Sequence, residues 1–207
     1  MSVDLEPLID PASTAVVVFE CQAGILGPGS PLPGLKGAAE AGAILERLGK
    51  LLAAAREARV RVFYVTVAKR RDGVGNAFNT PIERRIRTSD GKVFDAGPIC
   101  DEVAPSPGDV VLKREHGVTG FFESGLDTYL RNTGIRQIVL GGVSVNLGIL
   151  GTAIEAVNRG YTVVVPPDCV AGDPPEYAEQ ALRYTVRNVA FLFSSDEIGA
   201  CWTGRPS

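Results

Sequence analysis

The sequence predicts an α/β domain with a doubly wound, mostly parallel six-stranded sheet and helices on both faces. Short apolar runs rich in β-branched residues recur along the chain, as in strands that are buried on both sides of a parallel sheet. Amphipathic helical patterns lie between these runs, and each interval is long enough for a right-handed crossover. In such folds, ligand sites lie at the carboxyl ends of the strands.

The first strand is predicted at Thr14 to Phe19 (TAVVVF), a nearly uninterrupted apolar run. Further strands are predicted at 60–67, 110–112, 137–140, 161–165 and 190–193, and helices at 38–57, 125–132, 145–159 and 175–188. The segment from about 70 to 107 breaks this alternation with prolines, glycines and an arginine cluster at Arg84, Arg85 and Arg87. We interpret it as a surface excursion, either a functional lid or a solvated connection.

Composition favours one domain over residues 1–207, because 207 residues with 45% apolar content suffice for a single sizeable core. The formal net charge is −3, and no stretch combines basic and aromatic residues, so a nucleic-acid partner is not expected. Residues 1–13 contain no long apolar run and resemble neither a signal peptide nor a membrane anchor. We therefore expect a cytoplasmic protein that acts on a small molecule.

Cysteine and histidine usage argues against metal chemistry. Four cysteines (Cys21, Cys100, Cys169 and Cys201) are widely spaced without a CxxC pair, which favours free thiols over a disulfide framework or a zinc site. His116 is the single histidine in the sequence, so no imidazole cluster is available to a transition metal. We expect no metal and no other cofactor.

Three strand ends carry groups that are suited to catalysis or ligand binding. Glu20 follows the first strand directly, Lys113 follows the third, and the turn 142–148 (GVSVNLG) joins the fourth strand to the next helix. A lysine and a helix N-terminus near a carboxyl group favour its ionised form, whereas burial raises its pKa. The sequence does not decide this balance.

These stretches resemble the isochorismatase-like, or cysteine hydrolase, superfamily, which includes nicotinamidases, N-carbamoylsarcosine amidase and isochorismatases. Family motifs of the type DMQ, GDxVxxK and GxxTxxCVxxTAxxAxxxGY carry an Asp, a Lys and a nucleophilic Cys. The matching positions here are Glu20-Cys21-Gln22, GDVVLK at 108–113, GVSVNLGI at 142–149, Thr152-Ala153, Ala156, Gly160-Tyr161, Asp168 and Ala171. The resemblance spans nearly the whole chain and implies a Rossmann-like, three-layer fold with Glu20, Lys113 and Gly148 at the catalytic positions.

Two of these three positions depart from the family pattern, since Glu20 replaces Asp and Gly148 replaces Cys. A glycine cannot form a thioester, so acyl-enzyme chemistry is excluded at that position. Family members that hydrolyse the vinyl ether of isochorismate also carry glycine there. The resemblance therefore favours hydrolysis of a small metabolite by acid–base catalysis without a covalent cysteine intermediate, with an isochorismate-type ether as the best-motivated example and Glu20 as the acid.

Residues around these positions are expected to bind substrate, namely Gln22, His116, Val143, Ser144 and Asn146. For Ser144 and Asn146 the alternative is helix capping, and for His116 it is a surface imidazole.

Two other functions remain open: a catalytically silent relative that binds a small molecule or a protein, and a C–N hydrolase that uses Cys169 or Cys21. By analogy with the family, we expect a homo-oligomer, either a dimer or a tetramer.

Overall fold

A computed structural model describes residues 3–86 and 93–204 and confirms the α/β class. Within these residues one parallel sheet contains seven strands: β1 (Thr14–Phe19), β2 (Arg61–Val67), β3 (Val110–Arg114), β4 (Gln137–Val143), β5 (Thr162–Val165), β6 (Val170–Ala171) and β7 (Phe191–Leu192). Six of them follow the order β3-β2-β1-β4-β5-β7, as expected for a doubly wound sheet. The seventh, β6, has two residues, pairs with β4 and was not predicted from the sequence.

The helices are α1 (Ala23–Leu26), α2 (Pro33–Ala41), α3 (Ile44–Glu57), α4 (Pro81–Ile86), α5 (Leu126–Asn132), α6 (Leu150–Asn158), α7 (Pro175–Tyr184) and α8 (Ser195–Thr203). The single helix predicted over 38–57 is two helices, because Ala43 has a left-handed backbone (φ 48°) that interrupts the run. The helix predicted from residue 145 begins with one π-helical turn, Val145–Ile149, before α6. The helix predicted to 188 ends at Tyr184 and is followed by a 3₁₀ turn, Val186–Asn188.

Helix α8 was not predicted, although its start carries a recognisable signal. Ser194 accepts a hydrogen bond from the backbone of Glu197, and the Glu197 carboxylate accepts one from the Ser194 backbone, which forms a capping box. Trp202 is buried and donates a hydrogen bond from Nε1 to the Ile9 carbonyl at 2.9 Å. This contact ties the end of the chain to its beginning.

Two apolar layers cover the sheet. Leu48 and Leu52 of α3 pack with Ile198 of α8 on one face, and this layer includes Val16 and Val18 of β1. Helices α5, α6 and α7 cover the other face, where Val17 and Phe19 lie. Alternate residues of one strand thus serve opposite layers, which explains why the strand is apolar throughout. Among the described residues, no helix has the length and apolar character needed to cross a membrane.

The winding of the chain reverses between β1 and β4, which are neighbours in the sheet. Phe19 at the end of β1 is in register with Gly142 near the end of β4, so Glu20 lies beside the turn that follows β4. Open α/β sheets bind ligands at such a switch point. The parallel pairing of β2 and β3 places Arg114 opposite Val67, close to the same edge.

The excursion over 70–107 is partly helical. It contains α4 and a short 3₁₀ turn, Asp101–Val103, and α4 covers the carboxyl end of the sheet with Ile82 and Ile86. Of the arginine cluster, Arg84 donates to the Phe78 carbonyl at 2.9 Å, whereas Arg87 lies outside the described residues. The described part of this segment thus includes a helix over the sheet end, and a lid role remains a prediction.

Candidate active site

A cavity of about 110 Å³ lies at the switch point. Its walls include Glu20 after β1, Arg114 at the end of β3, and Ser144 and Gly148 from the turn after β4. This volume is well below the roughly 300–1,000 Å³ of typical ligand pockets. The cavity, hereafter the Glu20 cavity, therefore suits one small reacting group together with water rather than a whole metabolite.

Glu20 is held in place by its backbone and by an arginine. Its backbone is left-handed (φ 53°), and its N–H donates to the Val65 carbonyl of β2 at 3.0 Å. The Arg114 guanidinium donates a hydrogen bond to Oε1 of Glu20 and further bonds to the carbonyls of His116 and Gly117. Arg114 is 2% exposed, so its bonds to these three oxygens fix the direction of the Glu20 carboxyl.

Burial decides the electrostatic balance that the sequence left open. The pKa of Glu20 is raised from 4.5 to about 7, because desolvation outweighs the opposing effects of Arg114 and, more weakly, of Lys69. About 20% of the Glu20 side chain remains exposed. A carboxyl group with a pKa near 7 exchanges protons readily at neutral pH, as general acid–base catalysis requires.

Gly148 packs against the ring of Phe19, the last residue of β1. A Cβ atom at position 148 would lie 2.3 Å from Cε1 of this ring, which real side chains do not tolerate. On another side, the Arg114 guanidinium carbon lies 5.4 Å from the ring centroid, within range of a cation–π contact. Phe19 thus supports Arg114 and excludes a side chain at position 148.

A second ion pair closes the cavity on the α4 side. Lys69, which follows β2, lies 2.9 Å from Oε1 of Glu83 in α4, and both side chains are about one-tenth exposed (10% and 11%). The Thr80 hydroxyl donates to the other Glu83 oxygen at 3.2 Å. This pair anchors α4 over the cavity and also places a cation near Glu20.

The structure corrects the expected neighbour of Glu20. Lys113 is exposed and does not line the Glu20 cavity, because β3 extends to Arg114 and consecutive side chains of a strand point to opposite faces. Arg114 takes the position beside the carboxylate. Lys113 instead lines a second, adjacent cavity of about 490 Å³.

The structure does not bring all five predicted substrate-binding residues to the Glu20 cavity. Ser144 lines it, whereas Val143 is fully buried in the core. Gln22 binds backbone through both amide atoms, with Val67 and Gly97 as partners at 2.7–3.1 Å. The Asn146 amide nitrogen donates to the Asp173 carbonyl at 2.6 Å. The side chain of His116 lines a third cavity beside Glu83.

None of the four cysteines lines the Glu20 cavity. Cys21 is 2% exposed, and burial raises the pKa of its thiol strongly. Burial also raises the pKa of Cys169 to about 12. Since the thiolate is the nucleophilic form, neither buried thiol is activated at neutral pH.

Sequence reasoning missed Arg114, Lys69 and Glu83. Arg114 directly follows Lys113, and the seven-residue pattern GDxVxxK, counted from Gly108, ends at residue 114 rather than 113, so the motif spacing itself points to Arg114. Lys69 and Glu83 lie 14 residues apart in a segment without periodicity, so nothing in the sequence indicates that they meet. Helix α4 brings them together by folding back over the end of the sheet.

A family model and several known proteins match this chain over most of its length. The sequence model of the protein family described as isochorismatase domain matches residues 14–197 of this chain. The ureidoacrylate amidohydrolase RutB of Pseudomonas syringae pv. syringae is 29% identical over 98% of this chain and 90% of its own length. A cysteine hydrolase from Pseudomonas syringae pv. phaseolicola shares the fold with a TM-score of 0.78, at 23% identity over 95% of each chain. N-carbamoylsarcosine amidase from Thermoplasma acidophilum has a TM-score of 0.69 at 24% identity, over 89% of this chain and 97% of its own.

Proposed function

The chain belongs to the isochorismatase family, and from this premise we propose that it hydrolyses a small metabolite by acid–base catalysis at Glu20, without a covalent cysteine intermediate. The bond that we propose is a C–N bond of a ureido or amide group. One observation carries the proposal: a mostly buried carboxyl group with a pKa of about 7 borders Gly148, where the packing of Phe19 leaves no room for a thiol.

The choice of a C–N bond over an ether rests on the relatives. RutB is named for ureidoacrylate hydrolysis, and the structural neighbour from Thermoplasma acidophilum is named an amidase. The isochorismate-type ether, which the glycine at position 148 favoured at first, has no such support among these relatives. The direction of the pH dependence, worked out in the Discussion, separates the two chemistries.

In the proposed reaction, water takes the place of the missing thiol. Ionised Glu20 removes a proton from the water as its oxygen bonds to the substrate carbonyl carbon, giving a tetrahedral species. That species then breaks its C–N bond while the Glu20 carboxyl returns the proton to the departing nitrogen. The products are an amine, or ammonia, and a carboxylic or carbamic acid, whose acidic proton passes to the amine or to water, and Glu20 ends ionised as it began.

Arg114 is the positioning residue in this scheme. Its bonds to the carbonyls of His116 and Gly117 hold the guanidinium still, and the guanidinium in turn directs the carboxyl of Glu20. A general base is effective only when it lies within hydrogen-bonding reach of the proton that it removes. The relocated cysteine mechanism gains no comparable support, since Cys21 and Cys169 lie outside the cavity.

The test is hydrolysis of a panel of ureido acids, N-carbamoyl amino acids and primary amides. The release of ammonia or amine measures the rate. We expect Glu20→Gln to lower kcat by about 10²–10⁴-fold, the range typical of a lost general acid–base group. Glu57→Gln, an exposed glutamate at the end of α3, serves as the control and should retain full activity. Equal activity of Glu20→Gln and wild type on every hydrolysed compound would contradict the assignment.

A second candidate function is binding without catalysis. The small volume of the Glu20 cavity and the Phe19 ring over Gly148 favour it, because both restrict the space for a reacting substrate. Saturable binding of a panel compound without turnover by the wild type would support this candidate. A cytoplasmic location and a homo-oligomeric state remain predictions.

A further inference from the structure

The larger cavity beside β3, hereafter the edge cavity, has a volume of about 490 Å³ and falls in the usual range for small-molecule sites. It lies between the carboxyl-terminal halves of β2 and β3 and the segment 93–99. It shares three lining residues with the Glu20 cavity, namely Val67, Lys69 and Phe94. The two cavities are therefore direct neighbours on either side of these side chains.

The charged side chains around the edge cavity are mostly basic. Lys69, Arg71 and Lys113 line it, and among the lining residues that the structure describes Asp95 alone is acidic. Arg71 lies 3.7 Å from Asp95, a contact between side chains that are 93% and 70% exposed, so it neutralises Arg71 only weakly. Lys69 is already paired with Glu83. The remaining cation, Lys113, has no hydrogen bond or ion pair with any residue that the structure describes.

The neutral polar groups of the same wall are occupied by the protein itself. Gln22 uses both amide atoms on backbone partners, and the Thr66 hydroxyl donates to the Leu112 carbonyl at 3.2 Å. Of the described lining side chains, the Lys113 ammonium and the weakly paired Arg71 guanidinium thus remain for a ligand. Both are donors and cations, and both suit an anion.

We infer that the edge cavity binds the carboxylate end of the substrate, with Lys113 and Arg71 as its recognition groups, while the reacting end lies in the Glu20 cavity. This inference rests on the proposed function and narrows the substrate class to ureido or amide compounds that carry a carboxylate. It also explains the division of space, since 110 Å³ accommodates a reacting group and 490 Å³ the remainder of the molecule.

The test compares 3-ureidopropionate with 3-ureidopropionamide, two probes that differ in the charge at one end. We expect wild-type protein to bind the carboxylate at least about tenfold more tightly by titration calorimetry, as for a charge-assisted hydrogen bond of ~1.5 kcal/mol. Lys113→Ala combined with Arg71→Ala should remove this preference by weakening the carboxylate alone. In turnover, the same change should raise KM and leave kcat nearly constant.

Lys113→Arg keeps the charge and should retain most of the preference. Lys50→Ala removes an exposed lysine on α3, which does not line either cavity, and should change nothing. Equal binding of the two probes by wild type, absence of binding by both, or an unchanged preference in the double variant would overturn the inference. If the carboxylate binds in a Lys113-dependent manner but no compound is hydrolysed, the edge site stands and the proposed hydrolysis fails.

Discussion

Lys113 and Arg114 are consecutive residues of β3, yet they line two different cavities, which adjoin at Val67, Lys69 and Phe94. Arg114 is buried and bonded to Glu20, whereas Lys113 is exposed and has no described partner. The two cations therefore have different surroundings, although they are adjacent in the chain. In the proposed reaction Arg114 positions the Glu20 carboxyl, whereas Lys113 is available to an anionic ligand.

The pH dependence of the rate follows from the raised pKa of Glu20. If Glu20 acts as a general base on water, only its ionised form is active, so kcat/KM should rise with pH and reach half its plateau near pH 7. Initial rates on the best compound of the panel between pH 5 and 9 measure this. Glu57→Gln should give the same profile as wild type.

The opposite slope would identify the other chemistry. Protonation of an enol ether requires the neutral carboxyl, so in that case the rate would fall as pH rises through about 7. A profile that is flat from pH 5 to 9 would remove Glu20 from both mechanisms.

Neutralisation of Glu83 should shift the rate profile to lower pH. In the wild type, Glu83 partly cancels the charge of Lys69, which favours the ionised form of Glu20. Glu83→Gln keeps the shape of the side chain and one hydrogen-bond acceptor, but it leaves the positive charge of Lys69 without its counter-charge. The pKa of Glu20 should therefore fall. We expect the midpoint of the rising limb to move down by about 0.5–1 on the pH scale.

The control for this shift is again Glu57→Gln, which removes a carboxylate that does not line the Glu20 cavity. A midpoint that stays in place or moves upward in Glu83→Gln would show that Lys69 does not influence Glu20.

Gly148 should not tolerate even alanine. Because the new Cβ would meet the Phe19 ring at 2.3 Å, Gly148→Ala should lower the free energy of unfolding by about 1–3 kcal/mol, as overpacking of a core does. In a Phe19→Leu background the penalty should shrink, and urea unfolding of the four proteins of this cycle measures the coupling. Gly37→Ala is the matched control, since nothing lies within 4 Å of its Cβ and the helix should gain stability. If Gly148→Ala lowered the free energy of unfolding equally in the wild-type and Phe19→Leu backgrounds, a steric conflict with Phe19 would be excluded.

The strands and the switch point were accessible from the sequence because long apolar runs separated by helical intervals fix their order in few ways. The first strand has the predicted bounds, Thr14–Phe19. The placement of Glu20 at the switch point followed directly. In contrast, the run predicted as the third strand comprised only three residues, too few to fix which face Lys113 would take. The structure extends it to Arg114 and thereby decides the phase.

Features that depend on contacts between residues distant in the chain could not be predicted from the sequence. The break between α2 and α3 depends on the backbone of Ala43, a residue with no turn preference of its own. The ion pair of Lys69 and Glu83 and the contact of Gly148 with Phe19 depend on how elements fold over each other. The pKa of Glu20 depends on burial, which a sequence gives only as a trend.

The stability of the protein should carry the signature of Glu20 as well. A carboxyl with a pKa of 4.5 when unfolded and about 7 when folded binds more protons in the folded state between these values. The free energy of unfolding must therefore fall as pH rises from about 4.5 to 7, by up to ~3 kcal/mol at ~1.4 kcal/mol per pKa unit. Glu20→Gln lacks this titration. Urea unfolding measures the difference in free energy of unfolding between wild type and each variant. For Glu20→Gln this difference should decrease between pH 5 and 8, whereas for Glu57→Gln it should stay constant. A Glu20→Gln difference that is flat or increases over this range would mean that Arg114 outweighs burial and that the carboxyl is ionised throughout.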